Sequence, residues 1–183
     1  LPIQTTARHE AEDISKFYVS MYSLVYATNS NSSIKERILW MSSKSRKILP
    51  NDSYPAKMYD YTRLLYESGI PWEQTRDSLY YRYQVNQKDD YNMTSRNLYC
   101  NGCFAAGINF AASLVSLFYG EGDLKETIKI GTLAGWDSDN PASTWGGLLG
   151  FIHGKDEIEK IFNKSMSSTY NIHRTRQNFK NNG

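Results

Sequence analysis

Histidine, cysteine and net charge are all scarce in this sequence, and each scarcity excludes something. The 183 residues include 3 His and 2 Cys. The cysteines, Cys100 and Cys103, stand in a single CNGC. A structural zinc site needs two further ligands close by, and neither a second CxxC nor a histidine pair occurs. A thioredoxin-like centre needs a βαβ setting, and no segment shows strand-like alternation. The pair is therefore either two thiols at a helix start or a disulfide, within the pair or to another chain. His9, His153 and His173 are scattered along the chain. No Ser–His–Asp order or Cys–His pairing stands out for nucleophilic catalysis. The net charge of +2 gives no electrostatic reason to expect nucleic acid or an anionic membrane as partner.

Long apolar runs are also missing. The segment from Cys103 to Tyr119 carries no charge, but its seventeen residues fall short of the roughly 20 that a membrane helix needs. Gly107, Asn109, Ser113 and Ser116 dilute it further. It reads as a buried central helix and not as a membrane span. The opening decapeptide LPIQTTARHE has no apolar h-region, so no signal peptide is expected within the chain.

What remains is helical. Ile14, Phe17, Met21, Leu24 and Val25 share one face of a helix over 10–27. Ser33 and Glu36 fit a capping box for a second helix that runs to Leu49 and stops at Pro50. Pro55 suits the first turn of a third helix, with Gly69 just past its end. Pro71 opens a fourth, with Trp72, Thr75, Leu79 and Tyr83 aligned, and NQKDDYNMTSRN follows as a surface loop. Asp123 and Glu126 mark a further helix start, ending near Ala134–Gly135. Pro141 is expected to open the next helix, in which Gly146, Gly147 and Gly150 imply close packing. Lys155 to Phe162 is short and amphipathic. The fold class is all-α, an orthogonal multi-helix bundle over 1–165 followed by a polar basic tail over 166–183.

The chemistry concentrates in GWDSDN, Gly135 to Asn140. Asp137 and Asp139 flank Ser138, with Asn140 beside them. Hard oxygen donors this close suit Mg²⁺ or Mn²⁺. A DxDN turn before a proline also serves as a helix cap, through Asp139 or Asn140. Spacing alone favours the cap.

Context changes the balance. Asn109 sits in the small-residue apolar helix, followed by Tyr119-Gly120-Glu121-Gly122-Asp123, then Asp137-x-Asp139-Asn140, then a glycine-rich helix with Gly146 to Gly150. In order and spacing these features resemble the C-terminal signature of the ADP-ribosylglycohydrolase family. Looser similarity extends upstream through PWEQTRDSLYYRYQ to ARHEAEDISKFYVSMYSLVYAT, where His9 lies near a family histidine. The resemblance implies an all-α hydrolase with a two-ion Mg²⁺ or Mn²⁺ site that cleaves ADP-ribose from modified proteins. It implies Asp137, Asp139 and Asn140 as metal ligands, Asn140 replacing a more usual threonine. It also implies Trp136 and Ser138 as substrate-binding residues.

The family's GDALG-like opening and its T-D-D cluster do not occur in the chain, whose only Asp-Asp pair is Asp89-Asp90 in KDDYN. The expectation is therefore the C-terminal chain of a processed protein, completed by its own N-terminal chain and acting on an ADP-ribosylated substrate. The alternative is a catalytically inactive binding or toxin-like module that keeps the fold. Sequons at Asn31, Asn51, Asn92 and Asn163 point to secretion or the secretory-pathway lumen, with the cytoplasm as the alternative.

Overall fold

The computed structural model describes residues 2–92 and 102–169. Eight α-helices and no strand occur among the described residues, as the all-α reading expects. They are α1 (Glu10–Ser23), α2 (Ile34–Arg46), α3 (Tyr54–Glu67), α4 (Trp72–Leu79), α5 (Ala106–Gly120), α6 (Leu124–Ala134), α7 (Asp139–His153) and α8 (Lys155–Phe162). No helix is long and apolar enough to cross a membrane among the described residues. The chain divides into two compact units, Leu1–Leu149 and Gly150–Gly183. The second unit contains the end of α7 and all of α8, where Ile158 packs at Gly150.

Local sequence sets most of the helix boundaries. The Ser33 hydroxyl accepts from the Glu36 amide while the Glu36 carboxylate accepts from the Ser33 amide, a complete capping box. Ser53 caps α3, and Pro55 lies in that helix's first turn, where its missing N–H costs nothing. Asp123 Oδ1 accepts from the Glu126 amide at 2.8 Å and starts α6. Four boundaries differ from the sequence expectation, the second helix ending at Arg46 and not at Leu49. The first helix ends at Ser23 and gives way to a 3₁₀ turn over Val25–Ala27. The fourth passes into a π-helix over Tyr80–Val85. α7 begins at Asp139, two residues before Pro141.

α5 is the axis of the first unit. Thirteen of its fifteen residues are buried, and it packs most extensively against α6 and α3, with further contacts to α1, α2 and α4. Phe17 from α1, Tyr59 from α3 and Trp145 from α7 surround it. The Phe17 and Phe110 rings meet edge to face at 5.1 Å, and Tyr59 meets Phe118 at 5.6 Å in the same manner. Such contacts add to area burial because ring edges and faces carry opposite partial charge.

Several polar groups inside this core are bonded across helices, whereas the Thr127 hydroxyl is buried without a hydrogen-bond partner among the described residues. The Ser116 hydroxyl donates to the Thr127 carbonyl at 2.6 Å, tying α5 to α6. The Trp145 indole donates to the Ser113 carbonyl at 2.7 Å, and the Tyr18 and Ser113 hydroxyls bond at 2.9 Å. The Tyr22 hydroxyl donates to the Thr144 carbonyl at 2.7 Å and lies where a side chain at position 147 would have to sit. The close packing expected of the α7 glycines therefore holds at Gly147; at Gly146 only ordinary contact with Ile128 would result.

The α5–α6 approach requires Gly120. A Cβ there would overlap Thr127 Oγ1 and come within 2.7 Å of the Thr127 Cα, which is backbone and cannot rotate away. Gly120→Ala is expected to destabilise the protein by about 1–3 kcal/mol, measured by urea unfolding; an unchanged midpoint would show that α5 and α6 can separate freely.

A second prediction concerns the αL residue Glu121, which follows α5. Lys35 Nζ and the Tyr66 hydroxyl each donate to its Oε1 at 2.6 Å. The Lys35 ammonium first, then the Tyr66 hydroxyl, holds the Glu121 carboxyl below the usual carboxylate range. A depressed carboxylate stabilises the fold above its unfolded-state value, and that contribution disappears as pH falls through the folded-state value. Thermal stability should therefore drop in acid, and Glu121→Gln should flatten that part of the profile in a pH series of melting curves.

Candidate metal centre

The turn between α6 and α7 is built from two residues with positive φ. Gly135 has φ 98° and ψ −162°, a region that glycine alone occupies readily, and it stops α6. Trp136 follows at φ 55°, an uncommon conformation for a bulky side chain. Its indole Nε1 donates to Gln84 Oε1 at 2.5 Å, and Gln84 is buried in the π-helix. That bond offsets part of the backbone strain and fixes the indole.

The reversal aims the Asp137 amide at α5. Asp137 N donates to Asn109 Oδ1 at 3.1 Å, and the Asp137 carbonyl accepts from the Asn140 amide at 3.0 Å as α7 begins. Asp137 is half-buried, whereas Asp139 and Asn140 are exposed. Asp139 lies in the first turn of α7, where the helix dipole favours negative charge. The idea that Asp139 or Asn140 caps a helix opened by Pro141 does not hold. Both residues are already helical, and neither side chain accepts from a backbone N–H of the described residues.

The two carboxyls lie within hydrogen-bonding reach of each other. Asp137 is pushed above the usual carboxylate range, first by its hydrogen bond to Asp139, then by burial and by the charge of Asp139. Two ionised carboxylates so placed repel, and a proton or a cation between them relieves the repulsion. Ser138 is half-buried between them, and Trp136 is half-buried beside them. The structure thus gathers Trp136, Asp137, Ser138, Asp139 and Asn140 on one turn.

Other sequence candidates lie elsewhere. His9 is exposed ahead of α1 and lines a cavity of about 370 Å³ with Glu10, Asp13, Asp52, Asp89 and Asp90. None of residues 136–140 lines that cavity. Asp89 is paired with Arg82, Nη2 to Oδ2 at 3.0 Å. Asn31, Asn51, Asn92 and Asn163 are all exposed. Cys103 is disulfide-bonded. Cys100, His173 and most of the basic tail lie outside the described residues.

Sequence reasoning missed two residues that hold the turn. Asn109 was visible as a polar residue in an uncharged helix, but nothing in its spacing revealed its partner 28 positions away. Gln84 carried no signal, because only the π-helix brings it to Trp136.

Among the described residues the chain is all-helical, with two aspartates on a turn between a capped helix and a glycine-rich one. The family model for ADP-ribosylglycohydrolase matches residues 3–173, and the chain belongs to that family. No curated protein and no solved structure matches it.

The turn generates a prediction of its own. No atom lies within 4 Å of a Cβ built at Gly135, so Gly135→Ala changes backbone preference and nothing else. It should cost about 1–3 kcal/mol in chemical denaturation, while the neighbouring Ala134→Gly should not perturb the turn. A neutral Gly135→Ala would contradict the strained geometry.

Proposed function

We propose that this chain supplies one wall of a metal-dependent hydrolase that cleaves ADP-ribose from a modified protein side chain. The observation that carries the reading is the Asp137–Asp139 pair, two carboxyls on one turn with Asp137 raised in pKa by its neighbour, within a chain that the family model covers from residue 3 to 173. The donor set fits a hard divalent cation, Mg²⁺ or Mn²⁺: two carboxylate groups and the Asn140 amide oxygen, all on one turn. When bound, a two-ion centre would supply Lewis acidity and an acidified water for attack at an anomeric carbon. Asp137 and Asp139 would hold the ions, Asn140 would complete this chain's share, and the fixed Trp136 indole with Ser138 would contact the substrate.

The set is incomplete for two ions. Among the described residues no group of three or more His, Cys, Asp or Glu is placed to hold a metal. The reading therefore includes a partner, the protein's own N-terminal chain or an equivalent subunit, that brings the remaining ligands. A processed protein of the secretory lumen is supported by the four exposed sequon asparagines and by the disulfide at Cys103. If no partner completes the site, the alternative reading applies: a binding module that keeps the fold without the activity.

The test is release of ADP-ribose from an ADP-ribosylated protein by the native species, with Mn²⁺ or Mg²⁺ present. Release is expected to need the metal and to fall to background in Asp137→Ala and in Asp139→Ala. Full activity in both variants would remove the turn from the site, and metal binding with no release by the native species would favour the inactive module.

A further inference from the structure

We infer that Asn109 is the positioning residue of the candidate centre, a single buried amide that sets where Asp137 stands. Asn109 is 4% exposed and lies in the first turn of α5. Its Nδ2 donates to the Cys103 carbonyl at 2.6 Å and to the Ala105 carbonyl at 3.0 Å, and its Oδ1 accepts from the Asp137 amide at 3.1 Å. The partners determine the orientation of the amide. Two carbonyls can only accept and one N–H can only donate, so a flipped amide would meet three repulsive contacts.

The residue type follows from the same geometry. Aspartate has the shape but no donor for the two carbonyls, and its charge would face them. Serine is too short to bridge from α5 to the turn. Leucine has the volume but would leave the Asp137 amide and the Cys103 carbonyl without this partner in a half-buried place. The Ala105 carbonyl would keep its bond from the Asn109 backbone amide at 3.2 Å. The amide therefore joins three segments: the chain at Cys103, the start of α5 and the DSDN turn. With Gln84 holding Trp136 from the other side, the turn is fixed at consecutive residues, 136 and 137.

This inference rests on the reading of Asp137 and Asp139 as metal ligands, and the two can fail separately. Asn109 touches neither carboxyl, so it acts by placing the Asp137 backbone. Amide hydrogen exchange on this chain and Mn²⁺ calorimetry on the native species, partner included, test it, comparing the natural protein with Asn109→Leu and Asn109→Asp. The peptide covering 135–140 should exchange faster by roughly tenfold or more in both variants while the α6 peptide is unchanged. Mn²⁺ affinity should fall by about 10–100-fold, the range expected when a residue orienting a ligand is lost. Unchanged exchange over 135–140, or acceleration spread evenly over α5 and α6, would overturn the inference. So would faster local exchange with Mn²⁺ affinity intact. If the native species, with the partner that completes the site, binds no Mn²⁺, the ligand reading fails, and local exchange still decides whether Asn109 holds the turn. If neither variant folds, the Asp137 amide of the natural protein is the measure: protection like that of a helix interior supports the bond, and loop-like exchange refutes it.

Discussion

Burial of α5 on nearly every side is the constraint on which the rest of the structure depends. A helix so enclosed must satisfy every polar group within the protein, because no water reaches it. Asn109, Ser113 and Ser116 are its buried polar side chains, and each bonds to a different part of the chain. Asn109 reaches the DSDN turn, Ser113 meets Tyr18 of α1, and Ser116 reaches α6. The Ser113 carbonyl also takes the indole N–H of Trp145 in α7. The need to satisfy a buried helix thus becomes a set of fixed distances between the elements around it.

The candidate centre inherits that rigidity. Its carboxylates sit on a turn, and turns ordinarily move more than helices. Here the turn is clamped from α5 through Asn109 and from the π-helix through Gln84. The positive-φ residue Trp136 stores strain that the two clamps oppose. Asp139 also holds the neighbouring Asp137 carboxyl above the usual carboxylate range. At the other acidic locus, near His9, Asp89 is already paired with Arg82.

Features that depend on neighbours in sequence were legible in the sequence. The Ser33–Glu36 box, the Ser53–Pro55 start and the Asp123 cap are short-range chemistry, and each appears where the pattern places it. The all-helical class followed from periodicity and from the absence of alternation. The candidate turn stood out by composition, but its meaning needed the motifs flanking it. Features that depend on distant partners were not legible. The break after Ser23, the π-helix over Tyr80–Val85 and the early start of α7 have no local signal. The π-helix places Gln84 against Trp136, and the early start of α7 places Asp139 and Asn140 inside a helical turn instead of ahead of it. Asn109 belongs to both groups: its polarity was conspicuous, and its partner was not.

On the proposed function, a divalent cation binds at the DSDN turn. Titrating Mn²⁺ into isotope-labelled protein and following backbone amide signals tests it most directly, because paramagnetic broadening reports the place of binding without requiring turnover. The signals of residues 136–140 should broaden first. Broadening that begins instead at His9, Glu10, Asp89 and Asp90, with the turn unaffected, would contradict it.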